Sequence, residues 1–463
     1  MIVMKFGGAS LKDAEAINRT REIIASRIDK NPVVVVSAFG GITDMLYELT
    51  DAMLSRRTDK ARGKVSLIYE YCRRLMDETL SNKLSRGKAE VIIDENISRL
   101  KKLISGIEAV EEVSARSRDM ILGSGELISA PLITLVLSCN GIGCEYVDPR
   151  ELILTDSEHG AANPSLGEIK ERCQQRLVPV VVGGTVPVVG GFVGCSPDGA
   201  LTTLGRGGSD LTASVIALSI GADSLEFWKD VDGILAADPR IVPRARPVRR
   251  ITFQEAAELA FLGAKVLHPA SIQPAVEAGI PVKVLNFNRP SSPGTMILES
   301  MDAVPGSIEQ SPPISSIAYK RNQLMVNVFS TRMLGARGFL RRVFEVFDRI
   351  GLSVDHIATS EVNVTVTLSA TDRIRELEKE LNEVAVVRVE EGVGIVSVVG
   401  RNLPHTPGVA RRIFSALADF NIKLITYGGS GVNLSMVVAD GDVTGAVRVL
   451  HEELIPETGG EDA

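Results

Sequence analysis

The side chains best able to do chemistry in this chain are charged groups set among glycines. GRGGSDLTA, from Gly205 to Ala213, places Arg206, Gly207, Gly208, Ser209 and Asp210 ahead of an apolar run, Leu211 to Ile220, that reads as a helix. A glycine turn feeding a helix N-terminus lets backbone N–H groups approach phosphate, and the helix dipole favours the negative charge. Lys5 ends an apolar run in KFGGAS and is followed by Gly7 and Gly8. A lysine at the carboxyl end of a strand points into the crevice where open α/β sheets bind ligands. An ordinary surface lysine before a turn is the plainer reading. GSGE, Gly123 to Glu126, is read as a helix start bearing the carboxylate of Glu126.

Two further motifs follow. KDVDGILAADPR carries Lys229, Asp230, Asp232, Asp238 and Arg240 after the strand-like SLEFW, and a solvated acidic loop accounts equally well for Asp232 and Asp238. GAKVLHP places Lys265 just past a helix end, with His268 as a packing or capping residue. Phosphoryl transfer needs cations for the equatorial oxygens, backbone donors for the phosphates and firm positioning. Lys5, Arg206 and Lys265, the acids Glu126 and Asp210, and the glycine turns form such a set. No GxxxxGK[ST] or GxGxxG motif is present, so a P-loop and a dinucleotide fold lack support. Serine or cysteine nucleophile motifs and clustered histidines are also missing.

The elements that must position these groups alternate between strand and helix. Ile2 to Phe6, Val33 to Ser37, Val178 to Val182, Val186 to Val189 and Ser224 to Trp228 read as strands. Asp13 to Ile28 has apolar residues at helical spacing, and Lys64 to Ile107 reads as largely helical. Thr252 to Glu255 has the form of a capping box. The uncharged stretch Leu177 to Pro197 is rich in Val, Gly and Pro, which suits two buried strands better than a membrane span. This predicts a three-layer α/β domain over residues 1–298, then a linker over 299–313 rich in Pro, Ser and acids.

Beyond the linker the chain repeats. A shift of 70 residues overlays Gly338 on Gly408, Arg342 on Arg412, Phe344 on Phe414, Ser360 on Ser430 and Asn363 on Asn433. Each copy reads strand, glycine turn, amphipathic helix, strand, turn, strand. Two small α+β units are expected, at 314–388 and 389–463, with strand exchange between them. Paired modules after a catalytic domain suggest regulation; duplicated structural padding is the alternative.

Composition bounds the rest. With 463 residues, the chain exceeds one ordinary core. A net charge of -7 argues against a nucleic-acid or anionic-membrane partner. Five scattered cysteines without a CxxC predict a reducing compartment, and the N-terminus has no signal-peptide pattern, so a cytoplasmic location is expected.

KFGGAS, VSAFGGITD, GSGE, GRGGSD, KDVDGILAADPR and GAKVLHP, in this order, resemble the aspartokinases of the amino acid kinase family. The C-terminal units resemble ferredoxin-like ACT domains. MLGARGFLRRVF and SVDHIATSEVNVTVTL look most like the lysine-sensitive type. The resemblance implies transfer of the γ-phosphoryl group of Mg-ATP to the β-carboxylate of L-aspartate. It assigns Lys5 to the transferring phosphoryl group and Asp210 to orienting Lys5. Arg206 would hold the substrate α-carboxylate and Glu126 its α-ammonium. Phe192, Gly207, Gly208 and Ser209 would line the aspartate site. Gly7, Gly8, Lys229, Asp230, Leu235, Arg240 and Lys265 would face the nucleotide.

The resemblance also implies an effector amino acid, lysine in this type with threonine, the two together or none as the alternatives, near Met333, Gly338, Phe339, Leu340, Ser353, Val354, Asp355, Thr359, Ser360 and Glu361. Asp355 would meet its cationic side chain, and the ACT units would build a homodimer or homotetramer. Ala9, Lys229, Leu235 and Ala336 depart from the family pattern, which bears on ATP affinity and effector identity. An amino acid kinase for glutamate, N-acetylglutamate or carbamate is the second enzyme reading, and a catalytically silent amino-acid sensor is a third. The C-terminal repeat disfavours the former, and the retained charges disfavour the latter.

Overall fold

In the computed structural model of the chain, residues 1–263, 266–300, 314–333 and 337–455 are described. They form two compact units: residues 1–234, 249–253 and 266–300 make the first, and residues 235–248, 254–263 and the described residues from 314 onward make the second.

The first unit is built on an eight-stranded sheet. Its strands are β1 (Ile2–Phe6), β2 (Pro32–Val36), β3 (Cys144–Val147), β4 (Val186–Gly190), β7 (Ser224–Lys229), β8 (Arg250–Thr252), β9 (Val282–Asn286) and β10 (Thr295–Leu298), in the order β3-β4-β2-β1-β7-β9-β10-β8. A hairpin of β5 (Val193–Cys195) and β6 (Leu201–Thr203) stands apart. From β3 to β9 all neighbours run parallel. The carboxyl ends of β1, β2, β4 and β7 therefore lie along one edge, where open sheets bind their ligands.

Alternation along β1 decides where Lys5 points. Ile2, Met4 and Phe6 belong to the large core shared with the helices Ala14–Ala25 and Ile42–Leu54. Val3 and Lys5 thus face the opposite side of the sheet, where the helix Gly208–Ile220 packs on β1, β2 and β7. Asp13 caps the first of these helices, its carboxylate accepting from the Ala16 N–H at 2.8 Å. The charged stretch after residue 57 forms two helices, Thr58–Thr79 and Lys83–Val110.

Two expectations need correction. Val178–Val182 is a short helix, not a strand. Pro179 lacks the N–H a ladder needs but fits the first turn of a helix, and Val182 is exposed. GSGE does not start a helix: it lies in the middle of Ala115–Cys139. Its glycines serve close packing, since a Cβ on Gly125 would stand 2.8 Å from the Ala38 Cβ. That helix is long and apolar enough to cross a membrane, but it is buried inside the unit.

The second unit holds a six-stranded antiparallel sheet, β12-β13-β11-β14-β16-β15. Its strands are β11 (Ile314–Phe329), β12 (His356–Thr359), β13 (Asn363–Ser369), β14 (Val386–Gly400), β15 (Leu424–Tyr427) and β16 (Asn433–Ala439). The long β11 pairs with β13 only through residues 323–329, yet runs beside β14 from Ile314 to Phe329. Its first half thus lies next to the part of β14 that pairs with β16. The helices Phe339–Ile350 and Ile374–Asn382 cover one apolar core, and Val409–Ala416 and Val443–Leu454 cover another.

Candidate active site

Four of the charged groups singled out in the first unit, Lys5, Glu126, Asp210 and Lys229, come together at the carboxyl edge of its sheet. The Lys5 ammonium, one residue from the end of β1, lies 2.5 Å from Asp210 Oδ1. Lys229, the last residue of β7, donates to Asp210 Oδ2 at 3.0 Å. One carboxylate therefore holds two lysines, and all three side chains are largely buried. Burial alone would raise the Asp210 pKa, but the ammonium groups of Lys5 and Lys229 outweigh it and hold the carboxyl below its ordinary value. Burial lowers the Lys229 pKa and Lys5 adds to that, against the opposing pull of Asp210.

The helix Gly208–Ile220 delivers Asp210 from its first turn, after Gly207 at φ +74°, a left-handed conformation that suits glycine. Gly191, just past β4, lets this helix start approach: a Cβ there would sit 2.6 Å from the Ser209 Cβ. Phe192 follows, itself at φ +67°, a costly conformation for an aromatic residue, with its N–H donating to Thr212 Oγ1 at 3.0 Å. Gly7 and Gly8 lead from β1 into a 3₁₀ turn, Gly8–Leu11, and Gly8 lies against Ala38 and Gly40 after β2.

Glu126 faces the same edge and is buried. Ser209 Oγ donates to it at 3.4 Å. Burial pushes its carboxyl up to about 7; the Ala38 N–H, Lys5 and Ser209 oppose the rise without cancelling it. Arg206 is exposed and, among the described residues, has no ion-pair partner. Asp230 is exposed too. The first unit thus offers an open guanidinium, a buried acid of raised pKa and a lysine pair on one aspartate.

Leu235 and Arg240 lie in the second unit, where Arg240 is ion-paired to Asp238 at 2.6 Å. That pair holds Asp238 well down, at about 2. Lys265 and Ala336 fall outside the described residues. Of the expected effector contacts, Met333 and Val354 pack on one core. Gly338 caps the helix Phe339–Ile350, with Leu340 exposed. Phe339 is buried in that core, so its side chain is structural and only its backbone is available to a ligand. Ser353, Thr359, Ser360 and Glu361 are exposed along or beside the edge strand β12. Asp355 already has a cation: Lys320 Nζ lies 3.1 Å from its Oδ2 and 3.9 Å above the centre of the Phe261 ring.

Sequence reasoning missed Ser129, whose Oγ donates to the Ser37 carbonyl at 2.8 Å and ties the Glu126 helix to the end of β2. It also missed Asp119 and His159, which meet at 2.7 Å. No local pattern marks any of them.

Parallel sheet, glycine turns and paired charges define an α/β domain built to handle phosphate. A model of the amino acid kinase family matches residues 1–286, and an ACT domain model matches residues 396–454. Lysine-sensitive aspartokinase 3 of Escherichia coli (strain K12) is 35% identical over 98% of this chain and 99% of its own length. Chloroplastic aspartokinase 2 of Arabidopsis thaliana is 36% identical over 97% of this chain and 83% of its own. Two crystal structures of E. coli aspartokinase III, each 34% identical, match 98% of this chain and all of theirs. The one with lysine and aspartate, described as a T-state, gives a TM-score of 0.80; the one with aspartate and ADP, described as an R-state, gives 0.79. The chain belongs to the aspartokinases of the amino acid kinase family: it is a kinase with a carboxyl group as acceptor, carrying an ACT regulatory region.

Proposed function

We propose that the chain uses Lys5, Asp210, Arg206 and Glu126 to move the γ-phosphoryl group of ATP onto the β-carboxylate of L-aspartate, yielding 4-phospho-L-aspartate and ADP. The observation that carries this is the buried Lys5–Asp210–Lys229 cluster at the sheet edge, beside an ionisable Glu126. An aspartate side chain titrates near ~3.9 and is ionised at neutral pH, so the nucleophile needs no general base. A β-carboxylate oxygen forms a bond to the γ-phosphorus while the bond to the β,γ-bridging oxygen breaks, and ADP departs with that electron pair. Lys5 neutralises charge on the transferring group, held in direction by Asp210. Arg206 takes the α-carboxylate with its two-pronged guanidinium. Ionised Glu126 takes the α-ammonium, and Phe192, Gly207, Gly208 and Ser209 shape the wall.

Gly7, Gly8, Lys229, Asp230, Leu235, Arg240 and Lys265 are assigned to the nucleotide, with Lys229 also sharing Asp210. Among the described residues no three His, Cys, Asp or Glu side chains come together as a metal site. Magnesium is assigned to the Mg-ATP substrate, where it would neutralise phosphate charge with phosphate oxygens and water as its ligands.

Lysine is the proposed effector, bound at Met333, Gly338, Phe339, Leu340, Ser353, Val354, Asp355, Thr359, Ser360 and Glu361, in a homodimer or homotetramer joined through the ACT region. The crystallised E. coli enzyme with lysine supports this, as does the exposed edge strand β12. Inhibition then requires tighter lysine binding to a low-activity state. The product would open lysine, threonine and methionine biosynthesis. A cytoplasmic location agrees with the five free cysteines. Asp355→Asn is expected to raise the lysine concentration for half-inhibition by about tenfold or more, since it removes a charge-assisted contact. Half-inhibition unchanged in that variant would refute the assignment of Asp355.

A further inference from the structure

Asp119 is fully buried and sits seven residues before Glu126 on the same helix, two turns away along one face. Its carboxylate meets four polar groups. Thr203 Oγ1 donates at 2.6 Å and the Thr203 N–H at 3.3 Å. The Gly160 N–H donates at 3.1 Å, and His159 Nδ1 lies at 2.7 Å. A carboxylate can only accept, so the His159 tautomer that fits carries its proton on Nδ1. A buried carboxylate is tolerated when donors surround it in this way.

These donors come from two segments beside the Gly205 turn that leads into Arg206. Thr203 ends β6, three residues before Arg206. His159 and Gly160 lie in a loop closed on itself by Asp156, whose Oδ1 accepts from the N–H groups of Glu158 and Asn163 at 3.1 and 3.0 Å. The loop grips β6 through Ala162 N–H to the Thr203 carbonyl at 2.9 Å. The Gly160 carbonyl presses on the residue before Arg206: a Cβ on Gly205 would stand 3.1 Å from it.

Glu126 and the Arg206 turn are thus fastened through one buried carboxylate. The α-ammonium and α-carboxylate of an amino acid share one carbon, so the groups that hold them must keep a fixed separation. We infer that Asp119, with Thr203 and His159, is a positioning residue that sets the spacing between Glu126 and Arg206 and so tunes the site to one α-amino acid. This rests on the reading of Glu126 and Arg206 given above.

The test measures KM for aspartate and KM for ATP in Asp119→Asn, Thr203→Val and Thr203→Ser, with folding checked by circular dichroism and thermal melting. Asp119→Asn turns an NH₂ group toward donors. It is expected to raise the aspartate KM about tenfold or more, with the ATP KM within about twofold. Thr203→Val should raise the aspartate KM about threefold or more, and Thr203→Ser should restore it. If Asp119→Asn does not fold, the Thr203 pair decides. Both KM values rising together, or an unchanged aspartate KM in a folded variant, would overturn the inference. Arg206→Ala separates the two claims. A raised aspartate KM there, with Thr203→Val and Asp119→Asn unchanged, sinks the spacing role alone. An unchanged aspartate KM in Arg206→Ala sinks the reading of Arg206 and the spacing role with it.

Discussion

Lys5→Ala lowers kcat about a thousandfold or more and leaves lysine binding intact. A single preorganised donor to developing charge is worth about 10²–10³ in rate. Lys5 is buried and fixed at 2.5 Å from Asp210, so water replaces its ammonium poorly. The folded state should survive, because Asp210 keeps Lys229 at 3.0 Å and is not left an uncompensated buried charge. Steady-state kinetics with aspartate and Mg-ATP, together with calorimetric titration of lysine, reads both halves of this outcome. Turnover near the parent value would remove Lys5 from the chemistry.

Glu126→Gln produces the second large effect, in activity and stability together. The Glu126 carboxyl is pushed up to about 7 by burial. In its proposed role it must ionise in the free enzyme before it can pair with the α-ammonium. kcat/KM for aspartate should therefore fall as pH drops through about 7, approaching tenfold per unit below it, and level off above it. Glu126→Gln should erase that limb and lower kcat/KM at pH 8 by about a hundredfold.

Stability moves the other way. The folded pKa lies above the ordinary 4.5, so ionisation opposes folding, and the penalty grows as pH rises from about 4.5 to about 7. The glutamine variant should gain on the order of 3 kcal/mol at pH 8 and under about 1 kcal/mol at pH 5. Denaturant melts at the two pH values, with pH–rate profiles, decide it. Equal stability changes at both pH values would contradict a carboxyl titrating near neutrality.

Parts of this site could be read from the chain because a short motif held both the group and its setting. KFGGAS places Lys5 at a strand end, and GRGGSD places Asp210 in the first turn of a helix; strand and helix stand where periodicity puts them. The repeat at a spacing of 70 residues likewise reappears as two helix-covered halves of one sheet. Local pattern failed where packing decides. Gly-Ser-Gly before Glu126 has the composition of a turn, yet the helix continues through it because small residues let it lie on Ala38. The valine run at 178–182 is too short for periodicity to separate strand from helix, and Pro179 tips it to helix. Asp119 and His159 lie 40 positions apart and meet only after the sheet has formed. The Lys320–Asp355 pair is equally non-local, and it means that a cationic effector would meet an ion pair already in place.

Acceptor and reaction are tested together by incubating the protein with Mg-ATP and L-aspartate in hydroxylamine and measuring the hydroxamate formed from the trapped acyl phosphate. Glutamate and N-acetylglutamate serve as parallel acceptors. Hydroxamate is expected with aspartate, dependent on ATP, and little with the other two. ATP-dependent product from glutamate or N-acetylglutamate, with none from aspartate, would contradict the assigned acceptor, and no product from any of them would contradict the assigned reaction.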